Sequence, residues 1–124
     1  MVSYSSVSEV FARMQDVTEF CDAPLRSVDQ RGIFGNTPLK VAAIWGDIGA
    51  ACLLIDAGAD VNAKNENGYT ALHWAAESDD RRMARLLIER GTSPRQKNDE
   101  GLTPLDLALA SGHDALAALL RSAE

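Results

Sequence analysis

The residues of this chain best suited to chemistry are two histidines, His73 and His113, two cysteines, Cys21 and Cys52, and the adjacent carboxylates Asp79-Asp80 and Asp99-Glu100. An imidazole can serve as a general base or a metal ligand, but either role needs partners at defined spacing. Neither histidine has a second His or Cys at ligand spacing. Each falls near an expected helix start, where imidazole can hydrogen-bond backbone across a turn. Adjacent carboxylates point in different directions, whereas an acid/base pair must converge on one substrate atom in unequal environments. They read as solvated charge at element starts, where they also favour the helix dipole. Cys21 and Cys52 sit beside Phe20 and Leu53 and read as buried, reduced thiols. No glycine-rich phosphate loop, nucleophile elbow or Cys-x-x-Cys occurs. The sequence therefore predicts no enzyme, no metal and no cofactor.

The remaining charge argues about partners. With 124 residues, 46% apolar and 24% charged, the chain is expected to form one globular domain. A formal net charge of −6 opposes nucleic-acid binding, which needs clustered Lys and Arg, and favours encounter with a basic protein. Arg81, Arg82, Arg85 and Arg90 alternate with Met83, Leu86 and Leu87 as the outer face of a helix would. No apolar run approaches the roughly 20 residues that cross a bilayer, and the Met1 region lacks a signal-like segment. The expectations are no membrane contact, a cytoplasmic location and a monomer in isolation.

The elements that position these residues follow from an internal repeat. Gly35, Gly68 and Gly101 are 33 residues apart and open equivalent phrases: Asn36-Thr37-Pro38-Leu39, Tyr69-Thr70-Ala71-Leu72 and Leu102-Thr103-Pro104-Leu105. A Thr hydroxyl can cap a helix start, and Pro at the first helical position leaves no amide unpaired, so Thr37 and Thr103 each predict a helix with a capped start. Its inward face is expected at Leu39, Ala42 and Ala43, then Leu72, Ala75 and Ala76, then Leu105, Ala108 and Leu109. After a break at Gly46, Asp79 or Gly112, a second apolar helix carries Ile48, Cys52, Leu53, Leu54 and Ile55, then Met83, Leu86, Leu87 and Ile88, then Leu116, Leu119 and Leu120. Gly58 and Gly91 stop the first two of these helices. The polar segments before Gly68 and Gly101 read as exposed turns or hairpins. A period of this length predicts stacked units with a binding surface spread over several of them.

The chain resembles the ankyrin-repeat family. Gly35-Asn36-Thr37-Pro38-Leu39, Val41-Ala42-Ala43, Leu53-Leu54 and Gly58-Ala59-Asp60-Val61-Asn62-Ala63 follow the family pattern closely. The middle unit keeps Gly68, Thr70, Leu72-His73, Ala75-Ala76, Leu86-Leu87 and Gly91, and the last keeps Gly101 to Leu105, Ala108, Gly112-His113 and Leu119-Leu120. The resemblance implies an all-α solenoid of helix-turn-helix units with hairpin loops. Its expected units are a degenerate N-terminal capping repeat over 1–31, repeats over 32–64 and 65–97, and a C-terminal capping repeat over 98–124. Residues 5–30 are expected to carry two helices, with Ser8, Glu9 and Arg13 facing water. Arg121 stands where Ile55 and Ile88 stand in the other units.

The resemblance also implies a binding surface, since partner contacts in this family lie on hairpin tips and on the concave side of each first helix. Carried over by position, the first full unit offers Ile33, Phe34, Asn36, Ile44 and Trp45. The second offers Glu66, Asn67, Tyr69, Glu77 and Ser78; the third offers Asp99, Glu100 and Leu102, followed by Ala110 and Ser111. Together they predict an apolar patch rimmed by acid, with aromatic anchors. Trp74 matches an apolar position of the inter-unit packing and reads as core. A chain of this size with both caps reads as a small stand-alone inhibitor or adaptor, one version being an immunity-type protein against a basic toxin enzyme. A scaffold subunit bridging a larger complex is the rival.

Overall fold

The computed structural model describes residues 4–15, 25–33 and 35–124. Among them are seven α-helices and no strand: α1 (Val7–Met14), α2 (Pro38–Trp45), α3 (Ile48–Asp56), α4 (Ala71–Glu77), α5 (Arg81–Glu89), α6 (Pro104–Ala110) and α7 (Asp114–Ala123). From α2 onward they pair as α2/α3, α4/α5 and α6/α7. Each pair is linked by a left-handed residue, at Gly46 (φ 67°), Asp79 (φ 57°) and Gly112 (φ 75°). The first helices stack as α2, α4, α6 and the second as α3, α5, α7, while α1 lies against α2 and α3. Of the two helices expected in residues 5–30, α1 is seen; residues 16–24, with Phe20 and Cys21, lie outside the described residues.

The helix starts show why these segments fold locally. Asp47 and Asp80 cap the second helices, accepting the amides of Ala50 and Met83 at 3.1 Å each. Thr70 and Thr103 close reciprocal capping boxes with His73 and Asp106, three residues into α4 and α6. Thr37 departs from expectation: it holds the same extended backbone, but its hydroxyl makes no capping bond. Its would-be partner is Lys40, whose ammonium has only donors to offer, so the reciprocal half of the box cannot form.

The core is a small-residue seam between the first helices, bounded by larger side chains from the second. Ala42, Ala43, Ala75, Ala76 and Ala108 are fully or almost fully buried, as are Leu39, Leu72, Leu54, Met83, Leu87, Leu116 and Leu120. One expectation for the last unit does not hold. Leu105 is half-buried and packs against the core, but Leu109 is 44% exposed, because α6 has α4 packed on one side and no described element on the other. Cys52 is a free thiol and only half-buried. Ser8, Glu9 and Arg13 face solvent as expected.

Successive loops also touch. At Gly68 (φ 77°) a Cβ would come within 2.7 Å of Asp99 Oδ1 and 2.8 Å of Asp99 N. Gly35 has the same relation to Glu66. These glycines are required twice over, by the left-handed backbone and by the closeness of the next loop.

Candidate functional site

Each loop tip is a closed, self-bonded turn. The Asn65 amide donates to Tyr69 O at 2.9 Å, Gly68 N donates to Asn65 O at 3.0 Å, and the Asn65 side-chain oxygen accepts from the Asn67 and Tyr69 amides. Asn98 repeats the arrangement, its Oδ1 accepting from Glu100 at 2.9 Å and Leu102 at 3.0 Å. Neighbouring tips are joined by Asp99 N to Asn67 O at 3.0 Å. Behind them a ladder of cations runs at the repeat spacing: Arg31 donates to the carbonyl of Lys64, and Lys64 Nζ to the carbonyl of Lys97 at 3.0 Å. The tips are therefore held in place before any partner arrives.

Between the second and third tips lies a pocket of about 380 Å³. Its walls are Tyr69 and Trp74, its rim Glu77, Asp99 and Glu100, and Lys40, Asn65 and Asn67 complete it. Lys40 is only 7% exposed, yet its Nζ lies 5.7 Å from the Tyr69 ring centroid and 5.5 Å from that of Trp74. Both separations are within the range of a cation held over an aromatic face. The Tyr69 phenol is pushed above its ordinary pKa, first by burial and then by the charges of Glu77 and Glu100. The Asn98 side-chain amide opposes this by stabilising the phenol oxygen's charged form.

The structure brings five of the expected surface residues, Asn67, Tyr69, Glu77, Asp99 and Glu100, into this one pocket. Glu66 and Ser78 are exposed beside it in sequence, and the Ser78 hydroxyl donates to Trp74 O at 2.9 Å. Leu102 and Asn36 are half-buried. Ile33 and Ile44 are exposed, at 37% and 42%, and do not line the pocket. Phe34 lies outside the described residues. Trp45 is half-buried, with the Arg13 guanidinium 4.4 Å above its ring. That guanidinium also pairs with Asp47 at 2.8 Å, and Asp47 accepts the Tyr4 hydroxyl at 2.7 Å, so Trp45 belongs to the joint that docks α1.

Three pocket residues were not expected. Trp74, read as core, is half-buried and forms a wall; its equivalents Val41 and Leu107 are buried, and an indole is too large for their place. Lys40 carried a signal, since it stands 33 residues before His73 and 66 before Asp106, both of which can accept a hydrogen bond. The sequence around Asn65 signals only a turn.

The histidines are structural joints. The buried His73 ring accepts the Thr70 amide at Nδ1 (3.1 Å), so Nε2 carries the proton and donates to Leu102 O in the next unit at 3.0 Å. Burial, with smaller contributions from the charges of Lys64 and Lys40, pushes its pKa below the ordinary value. His113 donates from Nδ1 to Ala76 O at 3.0 Å, tying α7's start back to α4. With both His73 nitrogens and the His113 Nδ1 committed to backbone, these rings hold units together.

Stacked helix-turn-helix units with rigid tips and a continuous inner face define a repeat protein that presents a surface. A family model for ankyrin repeats in three copies matches residues 39–124, and the chain belongs to the ankyrin-repeat family. It is 50% identical over 40 residues to Ankyrin repeat domain-containing protein 40 of Mus musculus, covering 32% of this chain and 11% of that protein. It is 51% identical over 49 residues to Neurogenic locus notch homolog protein 1 of Xenopus laevis, covering 40% of this chain and 2% of that protein. The chain thus spans a small part of the length of the relatives it matches. Ankyrin repeats are in general protein-protein interaction modules, and no helix among the described residues is long and apolar enough to cross a membrane.

Proposed function

We propose that this chain is a non-catalytic binding module of the cytoplasm that engages a basic protein partner through its concave face and loop tips, as a small inhibitor or adaptor. The observation that carries the reading is the pocket between the second and third tips. Two half-buried aromatics there are rimmed by three carboxylates, on loops closed by the Asn65 and Asn98 side-chain oxygens, which accept the loops' own amides. Aromatic groups held rigidly at the centre of a polar rim are what interfaces use as anchors, and truncating one costs about 2 kcal/mol or more of binding. A chain carrying −6 overall adds long-range attraction for a positive partner. That charge also favours the immunity-type version, in which the partner is a basic toxin enzyme occluded by this face.

Affinity capture from the native lysate with wild type, Tyr69→Ala/Asp99→Arg and Trp45→Ala in parallel tests the reading. A partner retained by wild type and by Trp45→Ala but lost by the pocket variant supports it. Equal capture by all three moves the site off the concave face. A bridging scaffold is distinguished by the pocket variant losing one partner and keeping another.

A further inference from the structure

Resting on that reading, we infer that the pocket between the second and third tips is a slot for a single arginine side chain of the partner, with Lys40 the residue that sets its selectivity. The two rings already demonstrate their chemistry, because Tyr69 and Trp74 hold the Lys40 ammonium at 5.7 and 5.5 Å in the unbound protein. Three carboxylates, Glu77, Asp99 and Glu100, stand against that one ammonium, which leaves a surplus of two negative charges at the rim. A second cation is therefore attracted, whereas a phosphate or a carboxylate is repelled by the rim. A guanidinium suits the place better than an ammonium. It is planar and weakly hydrated, stacks on aromatic faces and bonds carboxylates in pairs.

Lys40 is the informative residue. Its two equivalents, His73 and Asp106, spend their side chains on closing a capping box, and Lys40 does not. The first repeat forgoes that local stabilisation, and the side chain reaches the pocket instead. There its charge neutralises one carboxylate and repels an incoming cation, which keeps the slot selective for a group able to stack as well as to pair.

The test is a nuclear magnetic resonance titration of the full chain with N-acetyl-arginine methylamide at millimolar concentrations. The lysine and glutamate counterparts serve as controls, and the Trp74 and Trp45 indole signals are followed together. Saturable movement of the Trp74 indole and of the amides of Asp99 and Glu100, with Trp45 still, is the expected result. The lysine probe should bind at least about fivefold more weakly and the glutamate probe should leave these signals in place. Glu77→Gln/Glu100→Gln, both exposed positions, should weaken the arginine probe about tenfold or more, and Lys40→Met should tighten it about threefold to tenfold by removing a like charge. Movement that does not saturate, equal response of both tryptophans, preference for the glutamate probe, or indifference to the Glu77/Glu100 change would each overturn the slot. Should Lys40→Met fail to fold, the Glu77/Glu100 variant decides alone. If the slot fails while the pocket variants still lose the captured partner, the concave-face reading stands without it.

Discussion

Lys40, His73 and Asp106 occupy one place in three units, the third residue of the first helix, and the beginnings of α2 and α4 show how differently that place can be used. At α4 the imidazole accepts the Thr70 amide and donates its Nε2–H to Leu102 O in the next unit, so one ring closes a cap and a joint. At α2 the ammonium can do neither, Thr37 is left without a capping bond, and the side chain lies over Tyr69 and Trp74 instead. The repeat supplies a framework with redundant fastenings. Where one fastening is given up, the side chain released from it is the one to examine for a role in binding.

If the α4 region is framework, damage there should spread through the whole stack. Ala75 is fully buried in the seam between first helices, and Ala75→Asp would place an unpaired charge there. A loss above about 4 kcal/mol and cooperative unfolding, followed by circular dichroism on heating, are expected. Retention of native helicity and melting temperature would refute the framework role.

Loop contacts sharpen the same distinction. Gly68→Ala must accept a left-handed alanine and a Cβ under 3 Å from Asp99, whereas Gly101→Ala meets no heavy atom within 4 Å. Urea unfolding should show a cost of about 1–2 kcal/mol for Gly101→Ala from backbone strain alone, and about twice that for Gly68→Ala. Equal costs would mean that the loop contact contributes nothing.

His73 offers a test through pH. Its folded pKa is depressed, so the neutral ring's contribution is complete above the unfolded value of about 6.5 and is lost as pH falls through the folded pKa. Between about pH 7.5 and about pH 5, wild type should lose more stability than His73→Gln, which keeps a capping acceptor and gives up the link to Leu102. At neutral pH that variant should be about 1–2 kcal/mol less stable. Parallel pH profiles would contradict the buried neutral ring.

The smallest expected effect reverses the comparison. Lys40→His gives α2 the residue that α4 has, allowing a capping box with Thr37. A gain of about 0.5–1 kcal/mol in thermal or urea unfolding is expected, together with altered affinity at the pocket. A gain in stability with no change in binding would leave Lys40 without a role in the slot.

Much of the framework was legible because it is local or periodic. Gly35, Gly68 and Gly101, the Thr-Pro starts and the alanine pairs announce units whose backbone needs are met within a few residues. Five of the pocket's residues were also legible, by position in the unit. Trp74 and Lys40 were not, for reasons of size and reach. An apolar residue at Trp74's place is core only if it fits, and an indole spills into the groove. The Lys40 side chain can be followed only once the distance to the next unit is known. Trp45 is the converse case, since nothing near it in sequence reveals that Arg13, 32 positions earlier, covers its ring.

The sequence by itself determined the repeating unit, its helix starts and stops and the inward alanine seam, because hydrogen bonding and side-chain periodicity act over one or two turns of chain. Only the tertiary structure decided which tips and helices converge on one pocket, and which cation lies over which ring. Those choices are made by distances between units, and such distances are set by how closely the small residues of the seam allow neighbouring helices to approach.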